Sequence, residues 1–460
     1  MSTFGGLNIA SSGLNAAQMA LEVTGQNVAN ASTAGYVRRT VSQSENVSQQ
    51  VSFTSPTDSG QGVTVTGISR MNDAMADAQA NSTAATSSYW STSSGAISTV
   101  ETSLNEPSTS GLGEAMTTFF SAWQAMANST GTTSSSSAAS AATALISAGT
   151  AVASTISSGY QAVANAWSST RSSAAIDVTT VNSTAQTVAG LNQSILSLSS
   201  SGSDVTGLED QRDAAVATLA SLTGATTRTN ANGTVDVLLG GSSLVSGTTA
   251  RSLTLAGATD ISGASSAPVT LSWSTGGSVS LSSGQLGAEV ASLAGANNGT
   301  GGVYAEAAQT YDTVAKNLAD AVNYLHEQGT TATGAAGGAF FSYSSTAPAA
   351  TTLAVVPTDA NGIAAADGTK GALDNTIADQ IAQLAGATTV STSATTTVAA
   401  PASTWTSYVS QVGSQSASAA ARSTAASSTP QSPPITTGRS PSAMPSSVSR
   451  RRSRTMATEE

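Results

Sequence analysis

The sequence contains no cysteine, and charged residues make up only 9% of its 460 residues. The absence of cysteine excludes disulfide bonds and thiolate chemistry. Ordinary globular proteins carry roughly 25% charged residues, so most polar surface here must come from Ser, Thr and the backbone. Aromatic residues are also scarce, at 4%. This composition predicts long Ala-rich helices around thin apolar cores, in an elongated molecule that neighbouring subunits stabilise.

Long hydrophobic segments are missing as well. No run of about 18 consecutive apolar residues is present, so we predict no membrane insertion. The N-terminus lacks the basic patch, the apolar stretch and the small-residue cleavage site of a secretory signal. If the protein leaves the cell, we therefore expect another export route to carry it.

The negative charge is unevenly distributed. Residues 430–460 hold five arginines and two glutamates and so carry a net charge of +3. Because the whole chain carries −11, residues 1–429 carry −14. An acidic body argues against nucleic acid as a partner. The tail arginines alone are weak evidence for binding nucleic acid or acidic lipid, and we expect neither.

Groups that could perform catalysis are few. The sole histidine, His326, lies in a predicted helix with no second His and no Cys to complete a metal site, so we expect a surface or helix-end residue. The densest charged cluster contains Glu209, Asp210, Arg212 and Asp213; an arginine among carboxylates predicts a solvated or ion-paired helix face rather than an acid–base pair. No nucleophile elbow, P-loop or dinucleotide fingerprint occurs. We predict no enzyme, with no catalytic, cofactor-binding or metal-binding residues and no cofactor.

The N-terminal segment, residues 3–31, has the pattern of one helix with a heptad seam. Large apolar residues recur every seven positions and small residues follow three places later: Leu7, Leu14, Leu21 and Val28, then Ala10, Ala17, Thr24 and Ala31. Such a seam lets a partner helix approach closely. Four glycines weaken the helix by roughly 1 kcal/mol each, so it is marginal alone and needs a partner. The alternative is that this helix packs on the core of its own domain.

The remaining periodicities predict a mainly α protein with a β-rich insertion. The N-terminal helix covers residues 1–35 and is followed by a helical domain with short strands at its start (36–222) and a β-rich outer domain (223–290). A helix that returns to the helical domain (291–330) and a Gly/Ala/Thr-rich irregular or β region (331–404) come next. The chain continues with a short helix (405–429) and a disordered Pro/Arg-rich tail (430–460).

Within the helical domain, short strands are predicted from Thr40 to Phe53 and at residues 62–68, and the Ser/Thr/Ala run at residues 129–141 predicts a loop. Apolar residues at helical spacing predict one helix face at Met116, Phe119, Phe120, Trp123 and Met126 and another at Leu145, Val152, Ile156, Tyr160, Val163 and Trp167.

The N-terminal segment resembles the signature shared by flagellar rod, hook and hook-associated proteins. The matching residues are Ser12-Gly13-Leu14-Asn15-Ala16-Ala17-Gln18, Gln26-Asn27-Val28-Ala29-Asn30 and Gly35-Tyr36. Ala34 stands where that signature usually has proline. Similarity to the hook-associated members continues along roughly residues 1–330, at residues 62–70, 104–108, 111–112, 119–124, 210–213, 233–237, 284–287 and 318–323, and it is weaker at 405–424.

This resemblance implies a structural flagellar subunit that passes unfolded through the flagellar type III export apparatus, with an export chaperone as a further partner. It implies a ring of identical copies at the junction between hook and filament, an extracellular site on the flagellum, with the hook protein and a second junction protein as neighbours. The terminal helices of such proteins pair as a coiled coil. By that implication the assembly residues here are Leu7, Leu14, Leu21, Val28, Asn27, Asn30, Gly35 and Tyr36.

The C-terminal end departs from that pattern. The family ends in a long heptad-bearing helix, whereas the last 31 residues here hold five prolines, which interrupt helices. The partner helix is therefore expected to be missing. We hypothesise a shifted reading frame, because residues 451–459 reread one nucleotide later permit an acidic, Ala- and Gln-rich stretch typical of that helix. The alternative functions are a hook or distal-rod protein and a secreted Ser/Thr-rich adhesin.

Overall fold

The computed structural model describes residues 3–33, 35–46, 61–130, 135–370 and 374–428. It is 60% helical with several small antiparallel sheets, which confirms the predicted fold class. The helices are α1 (Thr3–Ala29), α2 (Ala74–Leu104), α3 (Leu112–Thr130), α4 (Ser135–Ser200), α5 (Thr206–Thr223), α6 (Gln285–Ser292), α7 (Val303–His326), α8 (Ala349–Thr352), α9 (Thr376–Gln383) and α10 (Pro401–Ser428). The predicted disordered tail, residues 430–460, lies outside the described residues.

Six small sheets accompany these helices within the described residues. Four of the sheets are two-stranded. They pair β1 (Arg39–Glu45) with β2 (Val63–Arg70), β10 (Thr330–Thr331) with β13 (Ala364–Ala366), β11 (Phe341–Ser342) with β12 (Ala354–Val355) and β14 (Thr389–Ser391) with β15 (Thr397–Ala399). A four-stranded sheet contains β3 (Thr226–Thr229), β4 (Val235–Leu239), β5 (Ser242–Ser246) and β6 (Thr249–Ala250); a three-stranded sheet contains β7 (Leu253–Ala256), β8 (Thr270–Trp273) and β9 (Ser278–Val279). The predicted strand from Thr40 to Phe53 is seen up to Glu45, and residues 47–60 lie outside the described part.

The helix α4 is the longest element. Its 66 residues extend over about 100 Å at the usual helical rise, which makes the molecule elongated. The predicted apolar stripe of α4 is buried against α3 and α7 and consists of Leu145, Val152, Ile156, Tyr160, Val163 and Trp167. The predicted apolar face of α3 is buried too, at Met116, Phe119, Phe120, Trp123 and Met126. Helical periodicity therefore located the main core correctly.

The predicted loop at residues 129–141 is wrong over most of its length. The helix α3 continues to Thr130 and α4 begins at Ser135, with residues 131–134 outside the described part. The Ala residues of this run favour helix, and Ala142 and Leu145 are fully buried in the core just beyond it. Packing of that first apolar turn outweighs the weak helix propensity of the Ser/Thr residues.

By length and composition alone, α4 could cross a membrane. Its core stripe is buried inside the protein, and its outer face carries threonines such as Thr150 and Thr179. Their hydroxyls donate to carbonyls one turn earlier, at Ile146 and Ala175, which masks their polarity. We therefore interpret α4 as a core helix whose apparent hydrophobicity comes from alanine.

Two asparagines on α4 hold the β-rich region against the helix. Asn182 donates from Nδ2 to the carbonyl of Leu253 at 2.9 Å and accepts from its N–H at 2.7 Å. Asn192, which is fully buried, donates to the Val235 carbonyl at 2.8 Å and accepts from the Val235 N–H at 3.1 Å. Each side chain thus makes, with the first residue of β7 or β4, the two backbone hydrogen bonds that a neighbouring strand would make.

The end of α7 is fixed in the same manner. Asn323 donates to the carbonyl of Phe341 at 2.9 Å and accepts from its N–H at 2.8 Å. One turn later, His326 lies at the helix end but is fully buried, so the expectation of a surface position is wrong. Its Nδ1 lies 2.6 Å from the Gly338 carbonyl, and its Nε2 accepts from the Ala364 N–H at 2.8 Å. Burial lowers the pKa of His326 against the effect of the Gly338 bond, which keeps the ring neutral and structural.

The helix α10 runs antiparallel to α2. Ser427 bonds to Ser87 at 3.4 Å, Ser416 donates to Glu101 at 2.7 Å and the Trp405 Nε1–H donates to Glu106 at 2.9 Å. The predicted short helix of residues 405–429 is therefore a 28-residue helix, Pro401–Ser428. Its register on α2 shows that its C-terminal end points towards the start of α2.

We predict that Asn192→Ala destabilises the protein by about 3 kcal/mol, because it leaves buried backbone groups of β4 without partners. Urea denaturation followed by circular dichroism measures the change. The matched control is Asn165→Ala, at an exposed position of the same helix, and it should change stability by less than about 0.5 kcal/mol. Equal effects of the two substitutions would show that the Asn192 bonds contribute nothing.

Candidate assembly surface

The predicted heptad seam of α1 faces solvent. Leu7, Leu14, Leu21 and Val28 are exposed by 67%, 60%, 73% and 72%. Among the described residues, the large apolar side chains that are exposed fall mostly between positions 7 and 75, where Met19, Met71 and Met75 are exposed as well. Contiguous exposed apolar side chains are rare on a free surface and typical of interaction sites, so the seam is the candidate assembly surface.

The opposite face of α1 packs on the β1–β2 hairpin. Ala16 and Val23 are buried there, and Ile9 is half-buried. The Ser12 hydroxyl accepts from the Val63 N–H at 3.3 Å, and Gly62 lies so close to Ser12 that a Cβ at this position has no room. The helix therefore has an internal partner, as the alternative in the sequence analysis required, but that partner leaves the heptad seam uncovered.

Asn27 connects the end of α1 to the start of β1. Its side chain donates to the Arg39 carbonyl and accepts from the Arg39 N–H, both at 2.9 Å, and it also accepts from the Tyr36 hydroxyl at 3.0 Å. Two of the predicted assembly residues thus make contacts within the chain. They orient the helix on the hairpin, and the exposed seam is a separate face.

The turn after α1 contains two further predicted assembly residues, Asn30 and Gly35. Asn30 donates to the Gln26 carbonyl at 3.0 Å and accepts from the Thr33 hydroxyl at 3.3 Å, which satisfies groups at the helix end. Gly35 has a φ of +80°, a left-handed conformation that glycine adopts without a Cβ penalty. The predicted turn residues therefore shape the exit from α1.

A cluster of ion pairs joins the hairpin to α5. Arg39 and Arg70 are partners across the hairpin, and both guanidinium groups reach the first turns of α5. Arg39 pairs with Asp210 at 2.9 Å, while Arg70 pairs with Asp213 at 2.7 Å, with Asp210 at 2.9 Å and with Glu209 at 3.6 Å. The prediction of an ion-paired helix face is confirmed. We call Arg39, Arg70, Glu209, Asp210 and Asp213 the hairpin ion cluster.

The charges of this cluster are largely shielded from solvent. The side chain of Arg70 is 6% exposed. Burial opposes its positive charge, but the carboxylates of Asp213, Asp210 and Glu209 raise the pKa of Arg70 above its usual value. Arg212 borders the cluster: its Nε lies 3.8 Å from Asp213, and its Nη1 donates to the Gly233 carbonyl at 2.8 Å. Sequence reasoning found the acidic half but missed Arg39 and Arg70, because 140 or more positions separate them from Asp210 and Asp213.

Comparison with family models identifies two regions. Residues 97–341 match the model described as the FlgK helical domain of flagellar hook-associated proteins. Residues 7–36 match the model described as flagella basal body rod protein. The first match covers α3 to α7 with the β-rich region, and the second covers α1 and the turn after it.

Individual proteins give a similar result. The chain is 28% identical to flagellar hook-associated protein 1 of Bacillus subtilis (strain 168) over 369 residues, which are 74% of this chain and 71% of that protein. It is 28% identical to flagellar hook-associated protein 1 of Escherichia coli (strain K12) over 250 residues, or 53% of this chain and 44% of that protein. The solved structure of the hook junction protein FlgK from Burkholderia pseudomallei is similar with a TM-score of 0.46 and 24% identity, covering 58% of this chain and 46% of that one.

We predict that Arg70→Met loosens the attachment of α1 and the hairpin to α5, because Glu209 and Asp213 then lose their partner on the hairpin and Asp210 keeps only Arg39. The expected loss is roughly 2–4 kcal/mol for this attachment, measured as faster hydrogen exchange of the β2 amides. Arg38→Met is the control, since Arg38 is exposed on the same hairpin. Unchanged exchange in Arg70→Met would contradict a structural role for the hairpin ion cluster.

Proposed function

This chain belongs to the FlgK family of flagellar hook-associated proteins, and we propose that it forms the junction between hook and filament. Members of the family are structural components of the bacterial flagellum, which lies outside the cell. In the proposal, copies of this chain assemble as a ring, with the hook protein on one side and a second junction protein on the other. The export apparatus and a chaperone deliver the chain unfolded.

The exposed seam of α1 is the observation that carries the proposal. Leu7, Leu14, Leu21 and Val28 lie on one side of the helix and are all more than half exposed. Fully burying such a side chain stabilises an assembly by roughly 2 kcal/mol, so the four together supply a large driving force. Because the hairpin fixes the other face of α1, this force favours association with another helix over collapse onto the body.

The direction of α10 supports the proposal that a helix covers the seam of α1. The end of α10 lies beside Ser87 and points towards the start of α2, where Met75 is exposed. The start of α2 in turn adjoins the base of the hairpin, since the Met71 N–H donates to the Arg38 carbonyl. A terminal helix that follows this direction would meet Met75 first and then the seam of α1. We propose that a terminal helix of this family's coiled-coil type, which the hypothesised reading frame would restore to this chain, occupies the surface formed by Met75 and the seam of α1.

The lack of cysteine and the low charge density suit the proposed export. An exported chain must be unfolded in the cytoplasm and fold outside, and a chain without thiols cannot be trapped by wrong disulfides. Few charged residues also mean few strong ion pairs to break. These features support export through the flagellar apparatus.

A hook or distal-rod protein is the second candidate, and the match of residues 7–36 to the rod-protein model favours it. That match covers only α1 and its turn, whereas the hook-associated match covers residues 97–341. Immunogold labelling of isolated flagella separates the two: label at the hook–filament boundary supports the junction, and label along the rod or the whole hook contradicts it. For the adhesin hypothesis we find no supporting observation, and export that persists without the flagellar apparatus would be its signature.

We predict that the double substitution Leu14→Asp and Leu21→Asp abolishes filament assembly in cells that carry this protein. The charges should prevent burial of the seam, leaving hooks without filaments and filament protein in the medium. Electron microscopy and immunoblotting of the medium give the readout.

The matched control is Ile176→Asp, because Ile176 is a similarly exposed apolar residue, at 66%, on α4. This variant should still assemble filaments. Circular dichroism of the purified variants checks that both remain folded. Normal filaments on the seam variant would contradict the proposal.

A further inference from the structure

A pair of carboxyl groups is buried where α6 crosses α4. Glu289 of α6 is only 4% exposed, and it lies beside Asp177 of α4, which is half-buried. Glu289 Oε2 and Asp177 Oδ2 are both inaccessible and have no hydrogen-bond partner within the described residues. A buried carboxylate oxygen without a donor is unfavourable, so these two atoms require an explanation.

No cation of the described residues neutralises this pair. On α4, the nearest arginine, Arg171, donates its Nε–H to the Ala258 carbonyl at 2.6 Å. Gln285, one turn before Glu289, lowers the pKa of both carboxyls, but it does not donate to either unpartnered oxygen. Burial and then the charge of Glu289 raise the pKa of Tyr304 on α7. The Tyr304 hydroxyl accepts from Thr170 at 3.0 Å and donates to neither unpartnered oxygen.

The other helices that pack on α6 bring no compensating charge either. The contact with α5 is at its C-terminal end, where Gly284 lies against Leu222 and Gly224, whereas the charged residues of α5 are in its first turns. On α2, the contact is at Ala85, whose carbonyl accepts from the Gly284 N–H at 3.0 Å. Arg422 of α10 lies over the ring of Trp90. The groups that act on the two carboxyls are therefore Gln285 and the carboxyls themselves.

Two carboxylates in a site of low polarity cannot both be ionised near each other, so one of them keeps its proton. Burial, and secondly the negative charge of Asp177, raises the pKa of Glu289 to about 8. Burial also raises the pKa of Asp177. A proton shared by the pair would give the unpartnered oxygens of Asp177 and Glu289 a donor.

We propose that Asp177 and Glu289 hold one proton between them and act as a pH-sensitive link between α4 and α6. On folding at neutral pH, the pair takes one proton from solvent, because both carboxyls are ionised in the unfolded chain. The folded state then binds more protons than the unfolded state between the ordinary pKa of Glu and the raised pKa of Glu289. Stability is highest below this window and falls as pH rises through it. This inference goes beyond the proposed junction and does not depend on it.

The experiment is urea denaturation of the full chain at pH values from 5 to 9. In the wild-type protein the unfolding constant should rise with pH by up to about tenfold per unit between about pH 6.5 and 8. Below about pH 6.5 the buried neutral His326 has the opposite effect, because the unfolded chain binds a proton there that the folded protein does not. Glu289→Gln mimics the protonated form and should remove most of that rise. Glu114→Gln, at an exposed position of α3, is the control and should retain it.

Infrared spectroscopy gives a readout that does not depend on stability. At pH 7 the wild-type protein should show the C=O band of a protonated carboxylic acid, and Glu289→Gln should lose it. If Glu289→Gln does not fold, Asp177→Asn serves as the second variant. It removes the like charge and should reduce the pH dependence, leaving the part that the burial of Glu289 causes.

Two results would overturn the proposal. One is a parallel pH dependence of unfolding in the wild type and Glu289→Gln, with no protonated-carboxyl band. The other is stabilisation by calcium or magnesium chloride that Glu289→Gln abolishes, which would show that the pair binds a cation in place of a proton.

Discussion

The fold depends on helix asparagines that bond to the backbone at the start of strands. Each one donates to the carbonyl and accepts from the N–H of the first residue of a strand: Asn27 with Arg39, Asn182 with Leu253, Asn192 with Val235 and Asn323 with Phe341. A chain with few aromatics and short strands cannot cover its sheet edges with large apolar side chains. The carboxamide replaces the missing strand, so small sheets can be anchored on long helices.

A small number of polar and charged contacts also fixes the position of α1. The face of α1 with Ala16 and Val23, together with Asn27, binds the hairpin, while the hairpin ion cluster fixes the hairpin on α5. The large residues Leu7, Leu14, Leu21 and Val28 take no part in these contacts and remain exposed. The helix is thus positioned by polar and charged contacts, and its apolar side is available to another helix. That division is what a subunit of a larger assembly requires.

Much of the helical framework could be predicted from the sequence, because apolar periodicity directly reports burial on one face. The stripe from Leu145 to Trp167 is an example, whereas the heptad spacing of α1 located a row of apolar side chains that is exposed. Four features could not be predicted. The Ser/Ala run before Ala142 is helical only because the next turn is packed; His326 is buried only because distant carbonyl and amide groups at Gly338 and Ala364 enclose it; and the partners of the α5 carboxylates lie far away in sequence. The asparagine contacts were missed for the same reason, although Asn27 and Asn323 stood within the family-like motifs.

The absence of cysteine permits a direct test of the seam. A single cysteine introduced as Leu14→Cys can be labelled with a maleimide in the purified chain and in intact flagella. The account predicts rapid labelling in the purified chain, where Leu14 is exposed, and strong protection in assembled flagella, where another helix covers it. Equal labelling in both states would contradict the claim that the seam of α1 is the assembly surface.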